Sequence, residues 1–315
     1  MQKLLNRIIC GDCIEILGKV KKPFADLIFA DPPFNIGYKY DKYHDKQKKN
    51  QYIAWTRDWI TVCKKVLKPT GSFYIAIGDD YAANVKIIAD KLGLFMRNWI
   101  IWHYTFGQQT KDKFARSHTH IFYFVKDKKN FTFNDYAVRV PSDRQLIYND
   151  KRANPVGKMP DDIWSQYPRV CGTFKERAGW HPCQMPENLL KRIIAVSSNY
   201  GDCVLDPFSG SATTAAAAIQ LGRNYVGVEI SPEYVKAARK RLTQLKKQRA
   251  TSLSFNAAES NELKQLLYDM ERPAKEIVTD KKLLELFTNQ FAVRMNNQKH
   301  YTTEKIITAL EDLSG

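Results

Sequence analysis

Long apolar runs are missing from this chain. None approaches the roughly 20 residues that cross a bilayer, and the mean hydropathy is −0.45, so no membrane partner is expected. Residues 1–7 lack the apolar core of a secretory leader. Cysteine is sparse: Cys10, Cys13, Cys63, Cys171, Cys183 and Cys203 are scattered over 315 residues. Only Cys10 and Cys13 have C-x-x-C spacing, and no second pair completes a zinc site, so no metal is expected. Scattered thiols suit a reducing cytoplasm. Acidic charge is also short. The 33 Asp and Glu are outnumbered by 49 Lys and Arg, giving a formal net charge of +16. That excess points to a polyanionic partner.

Two short segments carry the chemistry. Asp31-Pro32-Pro33-Phe34 follows the apolar run 25–30, and Asp206-Pro207-Phe208-Ser209-Gly210-Ser211 follows Cys203-Val204-Leu205. Each reads as a buried parallel strand bringing a carboxylate to the carboxyl edge of a sheet, where open α/β sheets bind ligands. Gly210 and its small neighbours let backbone approach a ligand closely. Thr213 sits near a helix start whose N–H groups point outward unpaired. Glu229 ends the next strand, at the spacing from which an acid reaches ribose hydroxyls. The turn is not G-x-G-x-x-G and carries no Lys. A phosphate cradle is therefore disfavoured, and a ribose-bearing ligand without phosphate, such as S-adenosylmethionine, fits better. The first segment suits a flat base with an exocyclic amine. Asp31 can accept one N–H and the carbonyl of Pro32 or Pro33 the other, while Phe34 offers a ring for stacking. Prolines donate nothing and stiffen the turn that aims those carbonyls.

In this order of motifs the chain resembles the β-class amino DNA methyltransferases, in which the amine motif precedes the S-adenosylmethionine motif. Cys10-Gly11-Asp12-Cys13, Trp102-His103-Tyr104 with residues 114–120, the box His181-Pro182-Cys183-Gln184-Met185-Pro186-Glu187, and Gly227-Val228-Glu229 match as well. The resemblance covers roughly residues 7–245. It implies a Rossmann-like α/β fold, a doubly wound, mostly parallel sheet with circularly permuted motif order. It implies S-adenosyl-L-methionine as cofactor, bound by Asp12, Cys13, Asp31, His181, Pro182, Gln184, Asp206, Phe208, Ser209, Gly210, Ser211, Thr213 and Glu229. Catalysis is expected from Asp31, Pro32, Pro33 and Phe34. Phe34 departs from the commoner Tyr, so stacking survives but a hydroxyl role does not. Asp31 in place of Ser tilts the target to adenine N6 over cytosine N4. More distant alternatives are an RNA or protein-amide methyltransferase and a non-enzymatic DNA-binding module. Pro182-Cys183-Gln184 imitates the nucleophile motif of cytosine C5 methyltransferases. It precedes the Asp206 strand, whereas those enzymes place it after, and that reading would leave Asp31 without a role.

The catalytic domain is assigned to residues 1–106 and 180–250. Residues 35–49 read as a mobile loop, with Lys39 and Lys42 available to phosphates. Residues 51–67 form an amphipathic helix whose apolar face is Ile53, Trp55, Trp59, Ile60, Val62, Cys63, Val66 and Leu67. Over 107–179 the regular alternation fails, and basic, aromatic and amide residues interleave as in a target-recognition region. Arg116, Arg144, Arg152, Arg169 and Arg177 are the expected DNA contacts there, because Arg pairs bidentately with guanine. Ser231 and Pro232 mark a helix start, and the basic run at that helix's far end is a further DNA candidate. Residues 251–260 read as a linker and 261–315 as a separate helical segment. The expected partner is double-stranded DNA, with a second copy of the chain and a cognate restriction endonuclease as further candidates. The expected location is the cytoplasm, at the nucleoid through DNA.

Overall fold

The computed structural model describes residues 4–38, 41–43, 45–108, 110–140, 144, 147, 148, 150–152, 154, 157–172, 174, 176–250, 255, 257–270, 272–295 and 301–313. Among these, eight strands form one sheet. They are β1 (Arg7–Cys10), β2 (Ala25–Ala30), β3 (Leu67–Ile77), β4 (Phe95–Gln108), β5 (Arg116–Val125), β6 (Ile163–Trp164), β7 (Cys203–Asp206) and β8 (Asn224–Glu229). The spatial order is β1-β8-β7-β2-β3-β5-β4-β6. Pairs from β1 through to β3 are parallel, β3-β5 and β5-β4 are antiparallel, and β4-β6 is parallel.

Period-two patterning fixes what each face covers. On β5, Ile121, Tyr123 and Val125 enter one core, and Phe122 and Phe124 enter the other. On β3, Tyr74 and Ala76 oppose Phe73, Ile75 and Ile77 in the same way. One core is capped by α1 (Cys13–Gly18), α2 (Lys49–Val66) and α3 (Asp79–Lys91); the other by α4 (Glu187–Ser197), α5 (Thr213–Gln220) and α6 (Pro232–Ala250). Residues 213–219 of α5 are all buried, four of them Ala, so the helix lies close against its neighbours.

From β2 the chain moves to β3 on one side, and from β7 to β8 on the other. The topological switch point therefore falls between β7 and β2, and a crevice at such a point is where ligands bind.

The sequence reading needs three adjustments. First, β5 lies within 107–179, the span set aside for recognition, yet it is an interior strand between β3 and β4. Second, α7 (Ala257–Asp269) begins inside the expected linker. Third, Arg239 and Arg241 of the basic α6 run are engaged by backbone carbonyls of the domain itself. Arg239 donates to the Ile8 carbonyl (2.7 Å from Nη2), and Arg241 to the Ser211 carbonyl (2.7 Å).

With α8 (Ala274–Thr279), α9 (Lys281–Arg294) and α10 (Thr303–Asp312), α7 surrounds a third core that includes Leu263, Leu266, Ile277, Leu284, Phe287, Phe291 and Ile306. Asp280 and Thr302 cap α9 and α10. The bundle docks through the buried ion pair Arg223–Glu285, with Arg223 also donating to the Ser198 carbonyl at 2.8 Å. No helix of the described residues is long and apolar enough to cross a membrane.

Candidate active site

At the switch point Ile28 stands opposite Leu205, so the tips of β2 and β7 end side by side. Asp31 and Asp206 line the same cavity of about 370 Å³, within the roughly 300–1,000 Å³ of small-molecule sites. Burial pushes the Asp31 carboxyl up to about 7, and the charge of Asp206 adds to the shift. Asp31 is half-buried at the cavity wall. Burial also pushes Asp206 up to about 7, against hydrogen bonds from Thr214 Oγ1 (2.6 Å) and the Phe208 N–H (3.0 Å). Glu229, also raised by burial, lines the same cavity. Three desolvated acids in one space favour a cationic ligand.

The two proline carbonyls are not equivalent. Tyr52 on α2 is 1% exposed, and its hydroxyl donates to the Pro33 carbonyl at 2.6 Å. No described residue donates to the Pro32 carbonyl. Phe34 forms a wall against Gly78, where an added Cβ would come within 3.2 Å of its ring.

Described residues of the following loop are tied to one another by hydrogen bonds. Asp45, 2% exposed, accepts from the N–H groups of Asn35 (2.7 Å), Ile36 (3.2 Å) and Tyr38 (2.9 Å). The Asn35 amide bridges the Gln47 carbonyl (3.0 Å) and the Tyr81 hydroxyl (2.8 Å). Asp41 accepts from Ser231 Oγ at 2.6 Å, and Ser231 itself caps α6 by accepting from the Tyr234 N–H at 3.3 Å. Lys42 lines the cavity. Lys39 lies outside the described residues.

The second turn is shaped by close approach. Gly210 has φ +42, and a Cβ there would fall 2.7 Å from His181 Nε2. Its N–H donates to Glu229 Oε2 at 2.8 Å, while the Ser231 N–H donates to Oε1 at 2.9 Å. Ser209 Oγ is buried without a hydrogen-bond partner. Burial lowers His181 to about 4, so its ring is neutral at physiological pH. Phe208 meets Trp59 edge-on at 5.3 Å. Ser211 and Thr213 share a hydroxyl hydrogen bond of 2.8 Å at the start of α5. Pro182 and Cys183 also line the cavity.

Gln184 and Asp12, also expected at the cofactor, are likewise engaged by the chain itself. Gln184 accepts from the Ala178 N–H (2.8 Å) and donates to the Glu176 carbonyl (2.7 Å). Asp12 caps α1, accepting from the Ile14 N–H at 2.6 Å. Beside it, burial and the Asp12 charge push the Cys13 thiol up to about 12. A thiol so protonated is a poor nucleophile or metal ligand.

The arginines singled out from sequence divide. Arg116 and Arg169 line the cavity. Arg116 pairs with Asp79 at 2.7 Å, and Arg169 lies 5.2 Å over the Tyr104 ring. Arg144 and Arg152 instead clasp Asp150 at 2.6 and 3.0 Å, holding its carboxyl below the usual range. Arg177 donates to the Gly172 carbonyl at 3.2 Å. Asp79 also receives His118 (3.2 Å) and His120 (2.8 Å). The Trp99 indole N–H donates to His120 Nδ1 at 2.9 Å, which leaves the ring proton on Nε2, facing Asp79.

Tyr52, Asp41 and Tyr234 were not singled out from sequence, whereas Tyr104 lies in the Trp102-His103-Tyr104 segment. Tyr52 had a signal: it shares the buried face of α2 with Thr56, Trp59 and Cys63, and a buried phenol needs an acceptor.

A family model described as DNA methylase matches residues 25–240. The chain is 42% identical over 245 residues to DNA adenine methyltransferase YhdJ of Escherichia coli K12, covering 75% of this chain and 82% of that protein. It is 37% identical over 238 residues to Type II methyltransferase M.HpaI of Haemophilus parainfluenzae, covering 75% and 74%. The solved PvuII DNA methyltransferase (cytosine-N4-specific) shares the fold with a TM-score of 0.58 at 20% identity, over 75% of this chain and 89% of that one. The M1.HpyAVI-SAM complex does so with a TM-score of 0.52 at 23% identity, over 75% and 98%. With the family match spanning more than half its length, and relatives this similar, the chain belongs to the N6/N4 DNA methylase family.

Proposed function

We propose that this DNA methyltransferase uses S-adenosyl-L-methionine to methylate the N6 amine of an adenine swung out of double-stranded DNA. One observation carries the reading: Asp31 and Asp206, from chain-distant strands, face a single cavity at the switch point. In that cavity Asp31 accepts one hydrogen of the exocyclic amine. The Pro32 carbonyl, which no described residue engages, accepts the other, while the Pro33 carbonyl is held by Tyr52. Fixing both hydrogens aims the nitrogen lone pair, and this positioning lowers the barrier without a covalent enzyme intermediate. Phe34 supplies the stacking face.

The cofactor turn fits a nucleoside sulfonium. The unpartnered Ser209 Oγ offers a buried polar contact, the lack of a side chain at Gly210 lets the turn pack against His181, and the Glu229 carboxylate keeps acceptor capacity for a ribose hydroxyl. Asp206 and Asp31 supply negative potential for the cation. When bound, S-adenosylmethionine provides an electrophilic methyl group on positively charged sulfur. The complexed form of the M1.HpyAVI structure supports this choice.

The Escherichia coli relative, named an adenine methyltransferase, supports adenine. The type II name of the Haemophilus relative supports a restriction partner. Lys42, Arg116 and Arg169 at the cavity wall are the proposed phosphate and base contacts, and DNA binding would hold the protein at the nucleoid.

Nucleoside analysis of DNA from cells expressing the protein tests the assignment. N6-methyldeoxyadenosine is expected. N4-methyldeoxycytidine would overturn the adenine reading, and neither product would overturn DNA as the substrate.

A further inference from the structure

Strands β4 and β5 pair as an antiparallel hairpin, and residues 111–115 of its connection are exposed. Phe114 in that connection is 99% exposed. Isolated surface apolar residues are ordinary, but a wholly bare phenyl ring beside a reaction cavity is not explained by folding. Three observations give it a partner. Its neighbours Lys111 and Lys113 are exposed cations, with Asp112 the one acid between Thr110 and Arg116. Arg116 lies two residues away, at most about 7 Å along the backbone, and it lines the cavity that holds Asp31. Arg116 is itself held by Asp79 at 2.7 Å, and the tip turn is closed by the Thr110 hydroxyl donating to the Lys113 carbonyl. The root is thus fixed while the ring projects.

We propose that Phe114 is the wedge that enters the duplex and fills the stack vacated by the target base, with Lys111 and Lys113 anchoring the hairpin on flanking phosphates. This inference rests on the base-flipping reading. An apolar side chain inserted between bases compensates for unstacking, and extrusion is cheaper where pairing is already weak. Phe114 therefore acts on extrusion, while methyl transfer to an already extruded base needs only the cavity.

The test uses the full-length protein and a duplex built on the sequence found methylated in expressing cells, with 2-aminopurine at the target for fluorescence. Wild type should raise the fluorescence. Phe114→Ala should melt like wild type and bind the duplex within about threefold, since the phosphate contacts remain. It should lose most of the fluorescence rise and methylate the normal duplex about 30-fold more slowly. A duplex with an abasic site opposite the target should restore its rate to within about threefold of wild type, and Phe114→Trp should flip normally. Full fluorescence with Phe114→Ala would overturn the wedge. So would equal slowing on the abasic duplex, which would place Phe114 in a step other than extrusion. Wild type that methylates the normal adenine duplex yet gives no fluorescence rise on the 2-aminopurine duplex would overturn base flipping itself, separating that failure from the failure of the wedge.

Discussion

Gly210→Ala isolates the closest approach in the site. The backbone there has φ +42, and the added methyl would meet His181 at 2.7 Å (Nε2) and 2.9 Å (Cε1). A side chain in the left-handed region costs about 1–2 kcal/mol, and overpacking a filled site about 1–3 kcal/mol. Together the loss of stability should be about 2–5 kcal/mol in urea unfolding, read as a lower midpoint with an unchanged slope. The two parts can be separated. Ala212, two residues on, already carries φ +59, so backbone strain alone is tolerated in this turn. In a double-mutant cycle with His181→Ala, the overpacking part should disappear and the strain remain, a coupling of about 1–3 kcal/mol. Calorimetric titration with S-adenosylmethionine should show at least about tenfold weaker binding for Gly210→Ala. Stability within about 0.5 kcal/mol of wild type, together with unchanged affinity, would refute the close-approach argument.

Other expectations follow from the same geometry. Asp31 is raised to about 7 mainly by burial, so the folded state holds a proton there that the unfolded chain has released between about pH 4 and 7. Wild-type stability attributable to Asp31 should therefore fall as pH rises through that window. Asp31→Asn should become more stable than wild type toward pH 8, the gap closing near pH 4, while methyl transfer is abolished; a pH-independent gap would contradict the shift. Tyr52→Phe removes the donor to the Pro33 carbonyl, and should cost about 1 kcal/mol in denaturant unfolding and slow single-turnover methylation roughly tenfold. Arg223→Ala strands the buried Glu285 and should cost about 3–5 kcal/mol. Arg223→Met with Glu285→Leu should recover most of it, and equal loss in both variants would show that the charges are not what docks the C-terminal bundle.

The parts of the fold that could be read from sequence were those written in periodicity and at strand ends. Alternation in β3 and β5, the small-residue run of α5 and the acids closing β2, β7 and β8 are local signals, and each limits the register to one solution. What escaped depended on contacts between distant positions. The Pro32 and Pro33 carbonyls are told apart by Tyr52, from a helix distant in the chain. The loop read as mobile is gathered by a single carboxylate, Asp45, whose acceptor geometry cannot be inferred from a Lys-rich stretch. Arginine composition suggested DNA contacts uniformly, but Asp150 engages Arg144 and Arg152 and leaves Arg169 on the cavity wall. The strand-like run 121–126 was legible, but its place in the sheet was not, because an antiparallel hairpin breaks the strand–helix rhythm without leaving the sheet.

The permuted topology also sets an order in time. A ribosome delivers Asp31 roughly 10–30 s before Asp206 at ordinary synthesis speeds. Throughout that interval β2 lacks its β7 neighbour and β1 lacks β8. Prematurely terminated fragments therefore carry the Asp31 tip without the opposite wall. The cavity between Asp31 and Asp206 can close only after β7 has been made.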